Sequence, residues 1–592
     1  MNPEKEYIQQ IDSLQTSLAK YRRQDDFLAN ARLVLFLGAV LSLVAFRFLG
    51  SWTLIGLAFC GTAFLILIIF HAFLLKRKED VETGIRFFET GLLRIRDQWA
   101  GKGKGGEGYK PANHHYAEDL DIFGEGSLFE LLDTCRTQSG EQLLADWLCT
   151  PADAEEIRSR QDAVQECVPN VDLRVDLGRI GQSVRKALHE NRLAFWVNSE
   201  HELPGLNTYR ALIVLTVVSV TSLVLWLGEV LPGLAPILML AIDLSVLKWL
   251  SGSVVPIAEQ LGHGIQELKV MTKVLTRLER ETFTSERMES LRKKLTEGTE
   301  SASTAIKRLD QLFVWMEMYR NAMFAPLAWL TLWIVHFAYG IQRWRKKYRQ
   351  SIPVWLEAMG ELEALIALST YAYEHPEDPF PDVQDSNPFF EGNDLGHPLI
   401  SGDDCVRNSV KLNSECPLWI VSGSNMSGKS TLLRVIGINS VLALVGAPVR
   451  AKSLTMVPFK IGASIHVLDS IQSGMSHFYA EIHRLKAMLD QSENHPVLFL
   501  IDEILHGTNS HDRLKGSDGI IRALLTRGAM GLVTTHDLAL VEVADSMSFA
   551  VNNVHFVDRM GEKELQFDYL LKEGVVQHSN ALALMRSIGL DV

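Results

Sequence analysis

Lys429 and Ser430 close a glycine-bracketed run, residues 421–431, that reads Val-Ser-Gly-Ser-Asn-Met-Ser-Gly-Lys-Ser-Thr. An apolar run from Leu418 enters it, and Leu432, Leu433, Val435 and Ile436 leave it at helical spacing. Gly-x-x-x-x-Gly-Lys-Ser between a strand and a helix is the context a P-loop requires. Gly423 and Gly428 let the backbone curl so that its N–H groups and the following helix N-terminus face an anion. Lys429 can then reach the β- and γ-phosphates of ATP, while the Ser430 hydroxyl takes a place on Mg²⁺. The nucleotide loop expected from this pattern comprises Gly423, Ser424, Asn425, Met426, Ser427, Gly428, Lys429, Ser430 and Thr431.

Two further stretches supply groups that hydrolysis needs. Residues 497–501 are a continuous apolar run ending in Asp502-Glu503, the pattern of a buried parallel strand with a reactive end. Asp502 is placed to hold Mg²⁺ through water and Glu503 to polarise the attacking water. Residues 531–535 read as another short strand, with His536 at its end, where an imidazole can sense the γ-phosphate. Between the loop and the acidic strand lie Ser476, Phe478 and Glu481, and Gly507-Thr508 come directly after that strand.

These residues in this order resemble the MutS family of mismatch-repair ATPases, which belong to the ABC-type class. The family's loop reads Gly-Pro-Asn-Met-Gly-Gly-Lys-Ser-Thr; here Ser424 and Ser427 depart from it, whereas Asn425, Met426, Gly428, Lys429, Ser430 and Thr431 agree. Asp502-Glu503-Ile504 with Gly507-Thr508 resembles the family's Asp-Glu-Ile-x-x-Gly-Thr, and Thr535-His536 its Thr-His pair. Ser476 and Phe478 fall where the family has its Ser-Thr-Phe signature, and Glu481 where its downstream Glu falls. Residues 115–200 resemble the opening of the family's helical core, and residues 394–400 with Asn408 the entry to its ATPase domain. The resemblance implies catalytic roles for Lys429, Glu503 and His536, a metal site at Ser430 and Asp502, and a homodimer in which Ser476 completes the partner's nucleotide site.

The remainder of the chain departs from a soluble enzyme. Two apolar runs, 33–49 and 53–75, are split by Gly50-Ser51-Trp52, and a second pair, 211–227 and 234–250, is split by residues 228–233. Each arm is long enough to cross a bilayer. Lys20, Arg22, Arg23 and Arg32 precede the first hairpin and Lys76, Arg77 and Lys78 follow it, which puts both flanks in the cytoplasm. Asp243 inside the second hairpin reads either as a functional group or, with Lys248 about one turn further on, as a carboxylate near the interface that faces its own bundle. A fifth apolar stretch, 322–339, carries Pro326 and His336 and is expected not to cross, because ATP and the reduced cysteines keep the ATPase on the side of the N-terminus. The six cysteines show no metal-ligand spacing and read as small buried residues. His114-His115 reads as packing.

With 592 residues the chain accommodates several domains. The expected organisation is an N-terminal amphipathic helix at 1–32, a transmembrane hairpin at 33–78, a linker at 79–114, a helical core and lever domain at 115–400 with the second hairpin at 211–250, and an ATPase domain at 401–592. The fold class is therefore an α/β P-loop domain of ABC type joined to an all-α core with transmembrane hairpins. A multi-pass protein of the inner or plasma membrane follows, with the N-terminus and ATPase domain cytoplasmic and the bilayer as one partner.

Double-stranded DNA is the partner that the resemblance implies. Yet the net charge is −13, with 71 acidic against 58 basic residues, and a dedicated nucleic-acid binder would show a basic face. The mismatch-reading and clamp regions of the repair members are replaced here by the two hairpins. Two functions are thus expected to compete: a membrane-tethered ATPase with a DNA-binding, mismatch-repair-related role, and an ATPase that drives transport or membrane remodelling without DNA.

Overall fold

The computed structural model describes residues 2–592 other than 51–52, 113, 181–195, 197–202, 263–264, 299, 425, 466–476, 507, 537–538, 542–548, 561–564 and 576–592. Its contacts divide the chain into two units. The first comprises Met1–Trp99, Val171–Gln182 and Tyr373–His375, and the second the remainder.

The first unit is built on two long helices, α1 (Pro3–Leu49) and α2 (Thr53–Ile95), packed along their length. Where they are apolar, the large side chains face outward: Val34, Leu41, Phe59 and Ile69 are all exposed. At the opposite end the helices bury their own core, with Tyr7 edge-on to Phe88 at 5.2 Å between ring centroids. Glu374 sits in this core, where Arg94 Nε and Nη2 each donate to its carboxylate at 2.6 Å and the Tyr7 hydroxyl donates at 3.3 Å. Between the two ends, Asp25 accepts from Lys78 at 2.8 Å and pairs with His71 at 2.7 Å. Lys78 and His71 hold the Asp25 carboxyl below its ordinary range.

The helix continuity corrects two expected boundaries. Residues 1–32 are not a separate amphipathic helix but the first part of α1, and residues 79–95 are not linker but the last part of α2. Lys, Glu and Arg cost a helix little, so the charged stretches at both junctions propagate it. The chain turns at Gly50, which takes φ +72°.

In the second unit, helices Leu206–Leu227 and Leu234–Gly262 form a hairpin, and the latter runs straight past residue 250 into the helical core, where Leu250, Val254 and Ile257 are buried. Asp243 is fully buried, as is Ser219 on the other arm, so the carboxyl faces protein and not the surroundings. Across the described residues, four helices are long and apolar enough to cross a membrane: the two of each hairpin.

The fifth apolar stretch is broken into Ala325–Leu330 and Trp333–Tyr348. Pro326 opens the short helix instead of interrupting a longer one, as proline's preset φ allows. The break falls at Leu332, at φ +47°. Trp333–Tyr348 then packs against Ala302–Glu317 and Leu234–Gly262, and His336 Nε2 lies 2.9 Å from Thr216 Oγ1 on the hairpin.

The α/β part holds a six-stranded sheet in the order β10-β9-β4-β8-β7-β6, parallel except for β10. Its strands are β4 (Leu418–Ser422), β6 (Lys460–Ser464), β7 (Val497–Ile501), β8 (Met530–Thr535), β9 (Val551–Met560) and β10 (Leu565–Glu573). β4, β7 and β8 are buried on both faces, which accounts for their unbroken apolar runs. A smaller sheet, ordered β1-β5-β2-β3, combines β1 (Asp382–Val383), β2 (Phe390–Leu395), β3 (Asn408–Leu412) and β5 (Ser453–Met456).

That smaller sheet moves a boundary. Residues 382–395 fall before the expected domain start at 401, yet β2 pairs with β5, which follows the P-loop helix. Phe390 and Gly392 alternate inward, Leu395 turns inward past a register shift, and the prolines stand outside the strand, where their missing N–H costs no ladder bond. All six cysteines are free; Cys135 and Cys167 are buried, while Cys60, Cys149, Cys405 and Cys416 are only partly so, fewer buried than expected. His114 packs as read, its Nε2 3.0 Å from the Cys149 carbonyl.

Candidate functional site

Strand order does the assembly. β4, β8 and β7 are neighbours running the same way, with Ser422 opposite Thr535 and Val533 opposite Ile501. Whatever follows their C-terminal ends therefore meets at one edge of the sheet, where open α/β sheets bind ligands. Gly423 follows β4, Asp502-Glu503 follows β7 and His536 follows β8.

The loop after β4 curls as its composition dictates. Gly423 and Gly428 take φ +150° and +106°, conformations closed to most side chains. Met426 is also left-handed at φ +68° and exposed, the kind of strain that concentrates at functional loops. Helix Lys429–Val445 starts directly from Gly428 and is buried along almost its whole length. Lys429 Nζ lies inside the loop and donates to the carbonyls of Gly423 at 3.0 Å and Ser424 at 2.9 Å. Burial holds its ammonium below the usual lysine range, against the pull of the Glu503 and Asp502 carboxylates. Ser427 Oγ is buried in the loop without a hydrogen-bond partner among the described residues.

Asp502 is clamped from the loop helix and from β8. Ser430 Oγ donates to Oδ2 at 2.5 Å, and Thr534 Oγ1 donates to Oδ1. Thr534 Oγ1 also accepts from the Glu503 backbone N–H at 3.1 Å. Glu503 takes φ +48° and Leu505 φ +55°, and Glu481 braces this strained turn by accepting from the Leu505 N–H at 2.6 Å. The Glu503 carboxylate lies 3.4 Å from Nδ1 of His536 on one oxygen and 3.4 Å from Nδ1 of His506 on the other.

The loop opens into a cleft of about 700 Å³ whose far wall is built from His397, in the stretch that resembles the entry to the ATPase domain, and from residues the sequence reading passed over, among them Val406, Phe556 and Tyr569. Asn408 ties Tyr569 in place, its side chain donating to the Tyr569 carbonyl at 3.0 Å and accepting from the Leu571 N–H at 2.8 Å. Burial, assisted by Arg434, pushes the His397 imidazole down to about 4. Only the aromatic and apolar character of residues 395–406 and 556–569 could have pointed to this wall. Of the expected site residues, Asn425 and Ser476, and with them Gly507, lie outside the described residues; the rest line or adjoin the cleft.

A parallel sheet that gathers a glycine loop, a lysine, a hydroxyl, two carboxylates and a histidine at one edge, joined to a layered helical core, defines a class of two-part α/β and all-α proteins. Comparison with known families gives the membership: MutS domain V matches residues 419–591 and MutS domain III residues 117–313. The chain belongs to the MutS family. It is 35% identical over 246 residues to the Endonuclease MutS2 of Thermus thermophilus, covering 41% of this chain and 31% of the relative. It is 32% identical over 193 residues to the DNA mismatch repair protein MutS of Macrococcus caseolyticus, covering 31% and 22%. With that of Thermotoga maritima the identity is 28% over 248 residues, covering 41% and 31%. The chain thus spans less than a third of the length of these relatives.

Proposed function

We propose that the chain is a membrane-anchored ATPase of MutS type that couples ATP binding and hydrolysis in a homodimer to movement of helices tied to its hairpins. The observation that carries this reading is the clamp on Asp502 by Ser430 and Thr534 beside the loop lysine. Ser430 and Asp502 offer hard oxygen donors, the set that suits Mg²⁺, and these two residues would hold it. Bound there, Mg²⁺ supplies neutralisation of phosphate charge. Lys429 binds the β- and γ-phosphates, Glu503 takes a proton from the attacking water, and His536 orients Glu503 from 3.4 Å.

Force has a route through packed elements of the second unit. Helix Lys429–Val445 rests on Gln138–Cys149 and Ala154–Cys167, and the latter meets Glu286–Thr296. Arg287 there pairs with Glu156 at 2.7 Å. Ile265–Arg280 and Ala302–Glu317 continue the stack to Leu234–Gly262, which runs from core to hairpin tip. Whether a nucleotide biases two arrangements of this stack is what makes it a lever.

Four crossings leave the N-terminus and the α/β domain on the same, cytoplasmic, side of the bilayer. The names of the relatives carry a DNA repair role across as the first reading of the output. The second reading, transport or membrane remodelling, is favoured by the net charge of −13. The test is Mg²⁺-dependent ATP hydrolysis by the full chain in lipid nanodiscs, with Lys429→Ala as control; wild-type turnover equal to that of the variant would remove the ATPase reading. Duplex DNA binding titrated against salt then separates the two outputs.

A further inference from the structure

Beside the nucleotide cleft lies a smaller cavity lined by Glu503, His506, Arg513, Ser517, Thr535 and His536 among others. Across the described residues, Glu503, His506 and His536 are the one group of three His, Cys, Asp or Glu side chains arranged to hold a metal ion, with one ligand atom from each within 4.8 Å of the others. His506 stands at a position that the resemblance left unassigned, one of the two variable residues between Asp502-Glu503-Ile504 and Thr508.

We infer that Glu503, His506 and His536 form a binding site for a borderline-soft transition-metal dication of the Zn²⁺ class, separate from the Mg²⁺ position at Ser430 and Asp502. Two imidazoles and one carboxylate are the donor set that selects such ions over Mg²⁺, which takes oxygen ligands. The spacing is close to what such an ion needs. Bonds of about 2.0–2.1 Å in tetrahedral geometry put neighbouring ligand atoms about 3.4 Å apart. The Nδ1 atoms of His506 and His536 lie 3.4 Å from Oε2 and Oε1 of Glu503 respectively, and one ligand atom from each residue falls within 4.8 Å of the others, so a rotation of the carboxylate brings one oxygen towards both imidazoles. The left-handed turn at Glu503 and Leu505 folds His506 back over the carboxylate, bringing the two imidazole rings to 5.3 Å between centroids.

A second observation is independent of the three ligands. Ser517 lines the same cavity, is 1% exposed, and its Oγ has no hydrogen-bond partner among the described residues. A buried hydroxyl left unsatisfied calls for an ordered water or ligand, and a metal-bound water supplies one, in the manner of the outer-shell groups that steady metal sites. Arg513 also lines the cavity, and its charge directs the fourth metal position to water or an anion. Both histidines are about half exposed, so an ion can enter from solvent.

The consequence rests on the proposed ATPase reading: an ion on Glu503 withholds the carboxylate from the attacking water, so the metal arrests hydrolysis without blocking nucleotide binding. The test uses tag-free full-length protein in nanodiscs, without nucleotide, titrated with Co²⁺. Tetrahedral imidazole-bound Co²⁺ absorbs strongly in the visible, whereas octahedral oxygen-bound Co²⁺ absorbs weakly. One strongly absorbing Co²⁺ per chain is expected, displaced by equimolar Zn²⁺. His506→Gln and His536→Gln should weaken it on the order of a hundredfold or more, since even outer-shell changes cost 10–100-fold. His506→Cys, which restores a ligand, should recover it.

Absence of a saturable strong spectrum, or its survival in His506→Gln, overturns the site. Equimolar Zn²⁺ should also slow ATP turnover in excess Mg²⁺ for wild type and leave the rate of His506→Gln, whatever that rate is, unaltered. A Co²⁺ spectrum in a protein that never hydrolyses ATP would uphold the metal site and sink the ATPase reading. Hydrolysis without the spectrum would do the reverse.

Discussion

The Ser430 hydroxyl donates to Asp502 Oδ2 at 2.5 Å across 72 residues of chain, joining the first turn of the loop helix to the end of β7. Through Thr534, which holds the other Asp502 oxygen, the contact reaches β8 and so the strand that His536 follows. One carboxylate therefore fixes the relative position of the three chain segments that the proposed chemistry uses.

Glu503→Gln keeps the side chain's shape and removes its basicity. ATP turnover should fall about 10²–10⁴-fold, the usual worth of a positioned general base, while ATP stays bound. Lys429→Ala should lose both. Filter-bound nucleotide and phosphate release measured on the same samples distinguish the two, and a Glu503→Gln protein with undiminished turnover would remove Glu503 from its assigned role.

His397 gives the fold a pH signature. Its Nδ1 accepts from the Leu399 N–H at 3.2 Å, a bond lost on protonation, and its folded pKa of about 4 lies below the unfolded value of about 6.5. The unfolded chain then binds the proton preferentially. Stability is full above pH about 6.5 and declines as pH falls toward 4, by up to about 3 kcal/mol. Thermal midpoints taken at pH 7.5, 6 and 5 should drop less steeply for His397→Gln than for wild type; parallel profiles would contradict this.

The Arg94–Glu374 pair is almost wholly buried, with side-chain exposures of 8% and 0%. Removing one partner strands a charge and costs about 3–5 kcal/mol. Arg94→Met should therefore open α1 and α2 to proteolysis at their polar end, and Arg94→Met with Glu374→Gln should recover much of the protection. No recovery in the double variant would mean that the two side chains act independently.

Single cysteines at Glu229 and Gln350, in a background without the six native ones, test the topology with a membrane-impermeant thiol reagent on intact cells. Glu229, in the exposed turn of the second hairpin, should label, and Gln350 should not. Labelling of Gln350 from outside would require an odd number of crossings.

Binding to duplex DNA is expected to be weak, to fall steeply with salt and to ignore mispairs, because phosphate contacts position a protein without specifying sequence. A clear preference for mispaired over matched duplex at physiological salt would contradict this and favour a repair role read at the base pair.

The sequence by itself determined the shape of the loop and the strand and helix that flank it. Glycines at 423 and 428, a lysine and a hydroxyl between an apolar strand and an apolar helix leave few other arrangements, because the constraint is local. The four long apolar helices were legible for the same reason, since hydropathy over a window needs no partner. Only the tertiary structure decided that β2 pairs with β5 across the loop helix, that α1 and α2 run unbroken past their apolar parts, and that His506 comes back onto Glu503 beside His536. Strand pairing and the turn at Glu503 depend on residues far away in the chain, and a left-handed glutamate leaves no mark in composition. The cleft wall at His397, Phe556 and Tyr569 was hidden likewise, because each residue is ordinary until the sheet brings them together.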